Sequence, residues 1–363
     1  MIARMRWPLS PGSYPFGSRI HPIHCIVPPH MLREIARRGS AAQQAWAWKT
    51  ITLSEQIRGQ RWMLSVIAAM GTTATGTRRR TVYDARNGRG LPGRLVRAEG
   101  DPKSKDPAVN EAYDGAGKTY DLYFKVFGRN SIDERGMRLD STVHYDRNYD
   151  NAFWNGQQMV YGDGDGELFN RFTVAIDVIG HELTHGVTQY EANLEYHDQP
   201  GALNESFSDV FGSLVKQYSR RQTARSADWL IGKGLLAEGV KGKALRSMKE
   251  PGTAYDDEIL GKDPQPGHMK DYVKTDEDNG GVHINSGVPN RAFYEAAIRL
   301  GGHAWIKAGR IWYVTLRDKL RPTSSFQDAA RGTAAVAEEL YGEGSLEQKA
   351  VREGWAAVGI AIS

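Results

Sequence analysis

Apolar positions fall into three regimes along the chain. After Phe172 they recur every three to four residues, and this spacing predicts helices over 173–190, 203–219, 286–300, 304–320, 325–341 and 345–360. The last two open on the capping-box patterns Ser324…Gln327 and Ser345…Gln348. Between Thr81 and about Asn170, short alternating runs such as Thr142-Val143-His144-Tyr145 stand among Gly, Asp, Asn and Tyr. That pattern predicts strands and turns, with one helix near Asn110–Phe127. Earlier still, Pro28-Pro29 followed by Met31, Leu32, Ile35 and Ala36 and closed by Gly39 predicts a short amphipathic helix, with a second over roughly 41–57. The run Gly71–Arg80 is small and polar, then basic, with nothing to bury; it reads as a linker. The expected fold class is α+β: a leader over residues 1–70, a β-rich domain over 71–190 and an α-helical domain over 191–363. No internal repeat is present.

Composition narrows the chemistry. The 363 residues contain one cysteine, Cys25, so neither an intrachain disulfide nor a cysteine-rich zinc module is available. Any metal must be held by histidine and carboxylate. The net charge of +4 points at first toward nucleic acid, but the excess is local. Residues 1–80 hold 12 Lys/Arg against 2 Asp/Glu, whereas residues 81–363 hold 35 against 41. No nucleic-acid partner is therefore expected. Residues 1–20 carry no apolar run of signal-peptide length, and Val66–Met70 is only five residues long, so neither a conventional cleaved signal nor a membrane span is expected. Cytoplasmic residence is the default expectation, with export by a leaderless route as the alternative.

The informative stretch is His181-Glu182-Leu183-Thr184-His185. Histidines four apart on a helix project from one face and can share one ion. A catalytic Zn²⁺ takes three protein ligands and keeps a fourth position open, and Glu205, opening the next helix, is the natural third ligand. Asp209 follows one turn later and is placed to accept a ligand imidazole N–H. Glu182, beside the first ligand but further round the helix, can take a proton from a metal-activated water.

Around these residues the sequence resembles the thermolysin family of metallopeptidases, and especially its protealysin-like branch. The resemblance runs from about Tyr83 to the C-terminus through Asn151–Gly156, Tyr161–Gly166, His181–His185, Gly201–Ser206 and Asp278–Gly287, in order. It implies a two-domain fold with one catalytic zinc in the cleft between the halves, and a neutral endopeptidase. By matching position, Tyr196 and His283 would hold the oxyanion and Asp278 would orient His283. Asn151, the Ala152 backbone, Trp154 and Arg246 would bind the substrate chain, while Asn204 would support the ligands from behind. Phe169, Phe172, Val178 and Leu245 would form the apolar pocket that sets cleavage before Leu, Ile, Phe or Val. Arg246 as a surface ion pair is the plainer alternative.

The family's calcium pair is expected to be absent. Asp177 and Asp228 match its ligands, but the remaining positions fall on Lys216, Leu230 and Lys233, which cannot complete an oxygen cage. Lys216 is expected to supply the charge that Asp177 would otherwise lack. The Gly162–Gly166 run reads as a cleft-edge turn.

The leader also carries a resemblance. Ile26–Ile35 is similar to the double-proline motif of short protealysin-like propeptides, with Pro28, Pro29, His30 and Met31 as its inhibitory core. It implies a segment lying in the cleft in cis and removed between about residues 62 and 80. Cys25 reads either as an inert small hydrophobe or as a thiolate on zinc, and His21, His24 and His30 as a flexible tail or a metal site. The expected protein is a monomer acting on protein or peptide substrates, with no membrane partner. A zinc aminopeptidase and a catalytically silent binding protein are the competing readings.

Overall fold

A computed structural model describes residues 24–64 and 76–362, so the expectations placed on residues 1–20, His21, Val66–Met70 and Gly71–Thr75 lie outside the described residues. The first half is built on a six-stranded sheet. Its strands are β1 (His24–Cys25), β2 (Arg80–Asp84), β3 (Arg94–Ala98), β4 (Leu139–Val143), β5 (Ala152–Trp154) and β6 (Gln158–Tyr161), in the order β1-β5-β6-β4-β2-β3. β2, β4 and β6 run parallel, while β5 is antiparallel to β6 and β1 antiparallel to β5. The leader thus supplies the outermost strand, on the β5 edge.

Two leader helices follow β1: α1 (Pro29–Arg38) and α2 (Ala41–Leu64). Pro29 starts α1 because its missing N–H and fixed φ suit the first helical position, and Met31, Leu32 and Ile35 form its buried face. α2 extends past the expected end at 57. α3 (Pro107–Phe127) is capped at its start by Asp106, which accepts from the Ala108 N–H, and closed by Gly128 at φ 75°.

The helical half comprises α4 (Ile176–Tyr190), α5 (Asp198–Arg220), α6 (Asp278–Asn285), α7 (Gly287–Leu300), α8 (Ala308–Asp318), α9 (Phe326–Tyr341) and α10 (Leu346–Ala356). α4 and α5 pack face to face, and Gly212 permits it: a Cβ there would lie 2.4 Å from the Asp177 carbonyl and 3.0 Å from the His181 nitrogen. That close approach brings the α5 side chains onto the His181–His185 face.

Several local expectations are corrected. α4 starts at Ile176 because Phe172–Val174 form a separate 3₁₀ turn that leaves Val174 exposed. The capping box of α9 is one residue later than expected, made by Ser325 and Asp328, while Ser324 accepts from the Arg321 N–H. Ser345 caps the Gln348 N–H, but the Gln348 amide turns to the Gly344 N–H instead of returning the bond. The basic run does bury something. Arg80 opens β2, stacks 3.6 Å from the Tyr113 ring centroid and pairs with Glu99, so its guanidinium is solvated by protein. Among the described residues no helix is long and apolar enough to cross a membrane.

Candidate active site

α4 carries His181, Glu182 and His185, and α5 carries Asn204, Glu205, Ser208 and Asp209. One helical turn separates the histidines, so both rings reach the same point. Their Nε2 atoms lie 2.9 Å apart, with Glu205 Oε2 3.4 Å from His181 Nε2 and Glu205 Oε1 3.5 Å from His185 Nε2. The far side of each ring is held. His181 Nδ1 meets Asp209 Oδ1 at 2.8 Å, and His185 Nδ1 meets Asn204 Oδ1 at 2.8 Å and Ser208 Oγ at 3.0 Å. Asp209 is itself gripped by Arg246 Nε and Nη2 at 2.8 and 2.9 Å and by Asn290 Nδ2 at 2.8 Å. Arg246 is fully buried, which removes the surface ion-pair alternative.

The protein's own charges set an uneven ladder of acidities. Burial pulls His181 down, but the Asp209 and Glu205 carboxylates outweigh it and lift the ring to about 9. Burial beside an imidazolium drops His185 to about 3. Glu205 is buried yet held well below the usual carboxylate range by His283, His185 and His181. Burial raises Glu182 to about 8, with His181 opposing and Glu205 adding to the rise. Glu182 Oε2 accepts the Trp154 N–H at 3.0 Å, while its Oε1 is buried without a hydrogen-bond partner.

Opposite the histidines, α6 brings up His283. Its first four residues, Asp278 to Gly281, all have positive φ, and a Cβ on Gly280 would sit 2.2 Å from Asp198 Oδ1. This strained turn folds the Asp278 carboxylate back onto its own helix, where it accepts the His283 N–H at 2.9 Å and meets His283 Nδ1 at 2.7 Å. Burial opposes charge on His283, but Asp278 and Glu205 raise its pKa overall. His283 Nε2 lies 3.1 Å from the Tyr196 hydroxyl, which donates to Glu205 Oε1.

The leader crosses this site. The Ile26 N–H donates to the Ala152 carbonyl and the Val27 N–H to Asn151 Oδ1. Ile26 lies in the same buried apolar cluster as Phe169, Phe172, Val178 and Leu245. Pro28 turns the chain by accepting from the Met31 N–H, and Met31 is buried. His30 places Nε2 3.1 Å from the Tyr255 hydroxyl, so of the three leader histidines His24 and His30 lie in ordered elements and not in a flexible tail. The Cys25 side chain packs with Leu53, Tyr145, Tyr149, Phe153 and Val160.

Away from the cleft, Lys216 Nζ lies 2.8 Å from Asp177 Oδ2 and 2.9 Å from Asp228 Oδ1 and donates to the Leu230 carbonyl, with Lys233 3.7 Å from Asp228. In the Gly162–Gly166 turn, Asp163 pairs with His144, and Asp165 Oδ1 accepts three backbone N–H groups from residues 167–169. Sequence reasoning missed Ser208 and Asn290. Ser208 was findable, being one turn after Asn204 and in phase with it; Asn290 reaches Asp209 from α7, and nothing local marks it.

The donor set fits a zinc-type ion. His181, His185 and Glu205 form the one group of three or more candidate ligands among the described residues, with their ligand atoms within 4.8 Å of one another. Glu205 Oε2 is buried without a hydrogen-bond partner, and both rings spend Nδ1 on acceptors, which leaves the Nε2 lone pairs to converge.

Comparison with known proteins agrees with this geometry. Residues 58–189 match the family model described as thermolysin metallopeptidase, catalytic domain, and residues 192–360 that of thermolysin metallopeptidase, alpha-helical domain. An extracellular metalloprotease of Pectobacterium carotovorum subsp. carotovorum is 53% identical over 345 residues, covering 94% of this chain and 97% of the relative. An extracellular minor metalloprotease of Serratia marcescens is 40% identical, covering 91% of this chain and 93% of the relative. The solved precursor of protealysin, a metalloproteinase from Serratia proteamaculans, superposes with a TM-score of 0.85 at 55% identity, covering 93% of this chain and all of that one. The expectation of cytoplasmic residence is overturned by these relatives, whose names place them outside the cell. That default rested on the lack of a recognisable apolar run, which tests one export route and says nothing of others.

Proposed function

The chain belongs to the thermolysin family of metallopeptidases, and from that membership we propose that it is the precursor of a secreted zinc endopeptidase held silent by its own leader. The enzyme class is a metalloprotease with a thermolysin-like fold, and a neighbour solved as a precursor supports the zymogen form. The observation that carries the reading is the buried His181/His185/Glu205 triangle beside the unpartnered Oε1 of Glu182.

His181, His185 and Glu205 would hold the ion. When bound, zinc supplies Lewis-acid polarisation of the substrate carbonyl and an acidified water, and its charge lowers the pKa of the neighbouring Glu182. Glu182 then takes the water proton on Oε1 and returns it to the leaving nitrogen. His283, whose pKa Asp278 raises, and Tyr196 donate to the oxygen as it gains charge. Losing one such donor commonly costs about 10²–10³ in rate. Asn151, the Ala152 carbonyl and Arg246 engage the substrate backbone, and Trp154 positions Glu182 through its N–H. Phe169, Phe172, Val178 and Leu245, all buried, accept the apolar side chain after the cleaved bond. The leader is cut between about residues 62 and 80, with Pro28, Pro29, His30 and Met31 anchoring it until then. No calcium pair forms at Asp177, because Lys216 already neutralises it.

The test is cleavage of a peptide blocked at both ends and containing one internal Gly-Leu bond by zinc-loaded, leader-free enzyme. Cleavage before Leu is expected. Cleavage only of the same peptide with a free amine would replace the endopeptidase with an aminopeptidase, and no cleavage of the blocked or the free-amine peptide would leave only a binding protein.

A further inference from the structure

Four consecutive backbone groups of the leader are engaged in the cleft. The Cys25 carbonyl lies 3.1 Å from His283 Nε2, the Ile26 N–H donates to the Ala152 carbonyl at 3.2 Å, the Ile26 carbonyl accepts from Arg246 Nη1 at 3.1 Å, and the Val27 N–H donates to Asn151 Oδ1 at 3.0 Å. His283 Nε2 is in turn 3.6 Å from Glu205 Oε1. The peptide group brought up to the ligand cluster is therefore the one joining Cys25 to Ile26. Its nitrogen-side residue, Ile26, has its side chain fully buried.

The sequence pins this register. Sliding the leader forward by two residues would set Pro28 and Pro29 where Ile26 and Val27 donate, and neither proline has an N–H to give. A forward slip of one residue would put Pro28 opposite Asn151 and turn every side chain to the other face. A backward slip of two would put His24 at the fully buried position of Ile26. The double proline therefore does more than turn the chain: it fixes which bond is presented.

We propose that the leader is bound as a substrate in productive register, and that Cys25–Ile26 is a processing site cut by the chain's own centre while the leader remains docked. This rests on the endopeptidase reading above. In the step, water adds its hydroxyl to the Cys25 carbonyl carbon, the Cys25–Ile26 C–N bond breaks, and Glu182 carries the remaining proton to the Ile26 nitrogen. No oxidant or second reactant is needed. The cut separates residues 1–25 but does not release the inhibitor. Beyond Ile26, Arg33 pairs with Glu277 at 2.7 Å, Gln43 donates to Glu167 at 2.9 Å and Lys49 pairs with Asp146 at 2.9 Å. A nicked leader stays on the enzyme as a bound product until the later cut frees it.

The experiment uses the full chain, purified metal-free and then given zinc, with N-terminal sequencing and intact mass followed at several protein concentrations. A new N-terminus at Ile26 is expected, formed with a first-order rate constant independent of protein concentration, absent in Glu182→Gln and slowed at least tenfold by Ile26→Asp. A second readout needs no turnover: in the metal-free chain, hydrogen exchange should find the Ile26 and Val27 amides protected, with Val27 protection lost in Asn151→Ala. An intact Cys25–Ile26 bond in the zinc-loaded full chain, when the leader-free enzyme cleaves an added peptide, overturns the inference and leaves the endopeptidase reading standing. Failure of the leader-free enzyme to cut the added peptide as well overturns both. An apparent first-order rate constant that rises with protein concentration overturns cutting in cis, and unprotected Ile26 and Val27 amides overturn the register.

Discussion

Lys216 is 2% exposed and spends its ammonium on Asp177, Asp228 and the Leu230 carbonyl. Removing one partner of a buried pair leaves the other charge uncompensated, so Lys216→Met should cost about 3–5 kcal/mol in denaturant unfolding. The same contacts predict that a calcium-selective chelator leaves the melting temperature unchanged in zinc-retaining protein; a clear drop would reinstate a calcium site. This pair was legible in the sequence because one substitution pattern, lysine among acid positions, has few physical meanings. His181, His185 and Glu205 were legible for a similar reason, since helical spacing alone puts the two rings together. Tyr196 and His283 were not readable from spacing. They meet across 87 residues, and only likeness to a family suggested them. Asn290 and the bond from Glu182 to the Trp154 N–H belong to packing between distant elements, which no local pattern encodes.

At the scale of elements, α1 holds a histidine that titrates against docking. Burial lowers His30 to about 4, and the nearby His283, Arg246 and Arg33 charges add to the effect while Asp278 opposes it. The docked value lies below the free value of about 6.5, so an undocked leader takes up the proton first. Docking is strongest above about pH 6.5 and weakens as pH falls toward 4. Hydrogen exchange of α1 between pH 7.5 and 5 should show rising opening, flattened in His30→Asn; a pH-independent profile in the parent chain would contradict the assignment. Helix phases were readable from apolar spacing, but their ends were not. The α9 cap moved by one residue because Ser325, not Ser324, can exchange bonds with an acid three residues on. Arg80 looked like linker because a guanidinium reads as solvated until Tyr113 and Glu99 are placed around it.

Over the whole molecule, the charge imbalance in the sequence becomes an interface. The first 70 residues hold 9 Lys/Arg against 2 Asp/Glu and the remainder 38 against 41, and leader contacts such as Arg33 with Glu277 and Lys49 with Asp146 join the two signs. Because these pairs are partly exposed, salt should weaken them only modestly. Dissociation of a nicked leader should speed up severalfold between 50 mM and 500 mM NaCl, and an unchanged rate would show that apolar docking alone holds it. The sheet-then-helix order and the metalloprotease class were visible in the sequence. That the named relatives are extracellular was not, because the lack of an apolar run tests only one export route. The central claim is that Glu182 does the proton transfer beside a zinc held by His181, His185 and Glu205. It is tested most directly by measuring zinc content and cleavage of a blocked peptide side by side in leader-free parent and Glu182→Gln enzyme. The account predicts one zinc per chain in both and a loss of about 10²–10⁴-fold in kcat/KM in the variant; equal zinc with undiminished cleavage would contradict it.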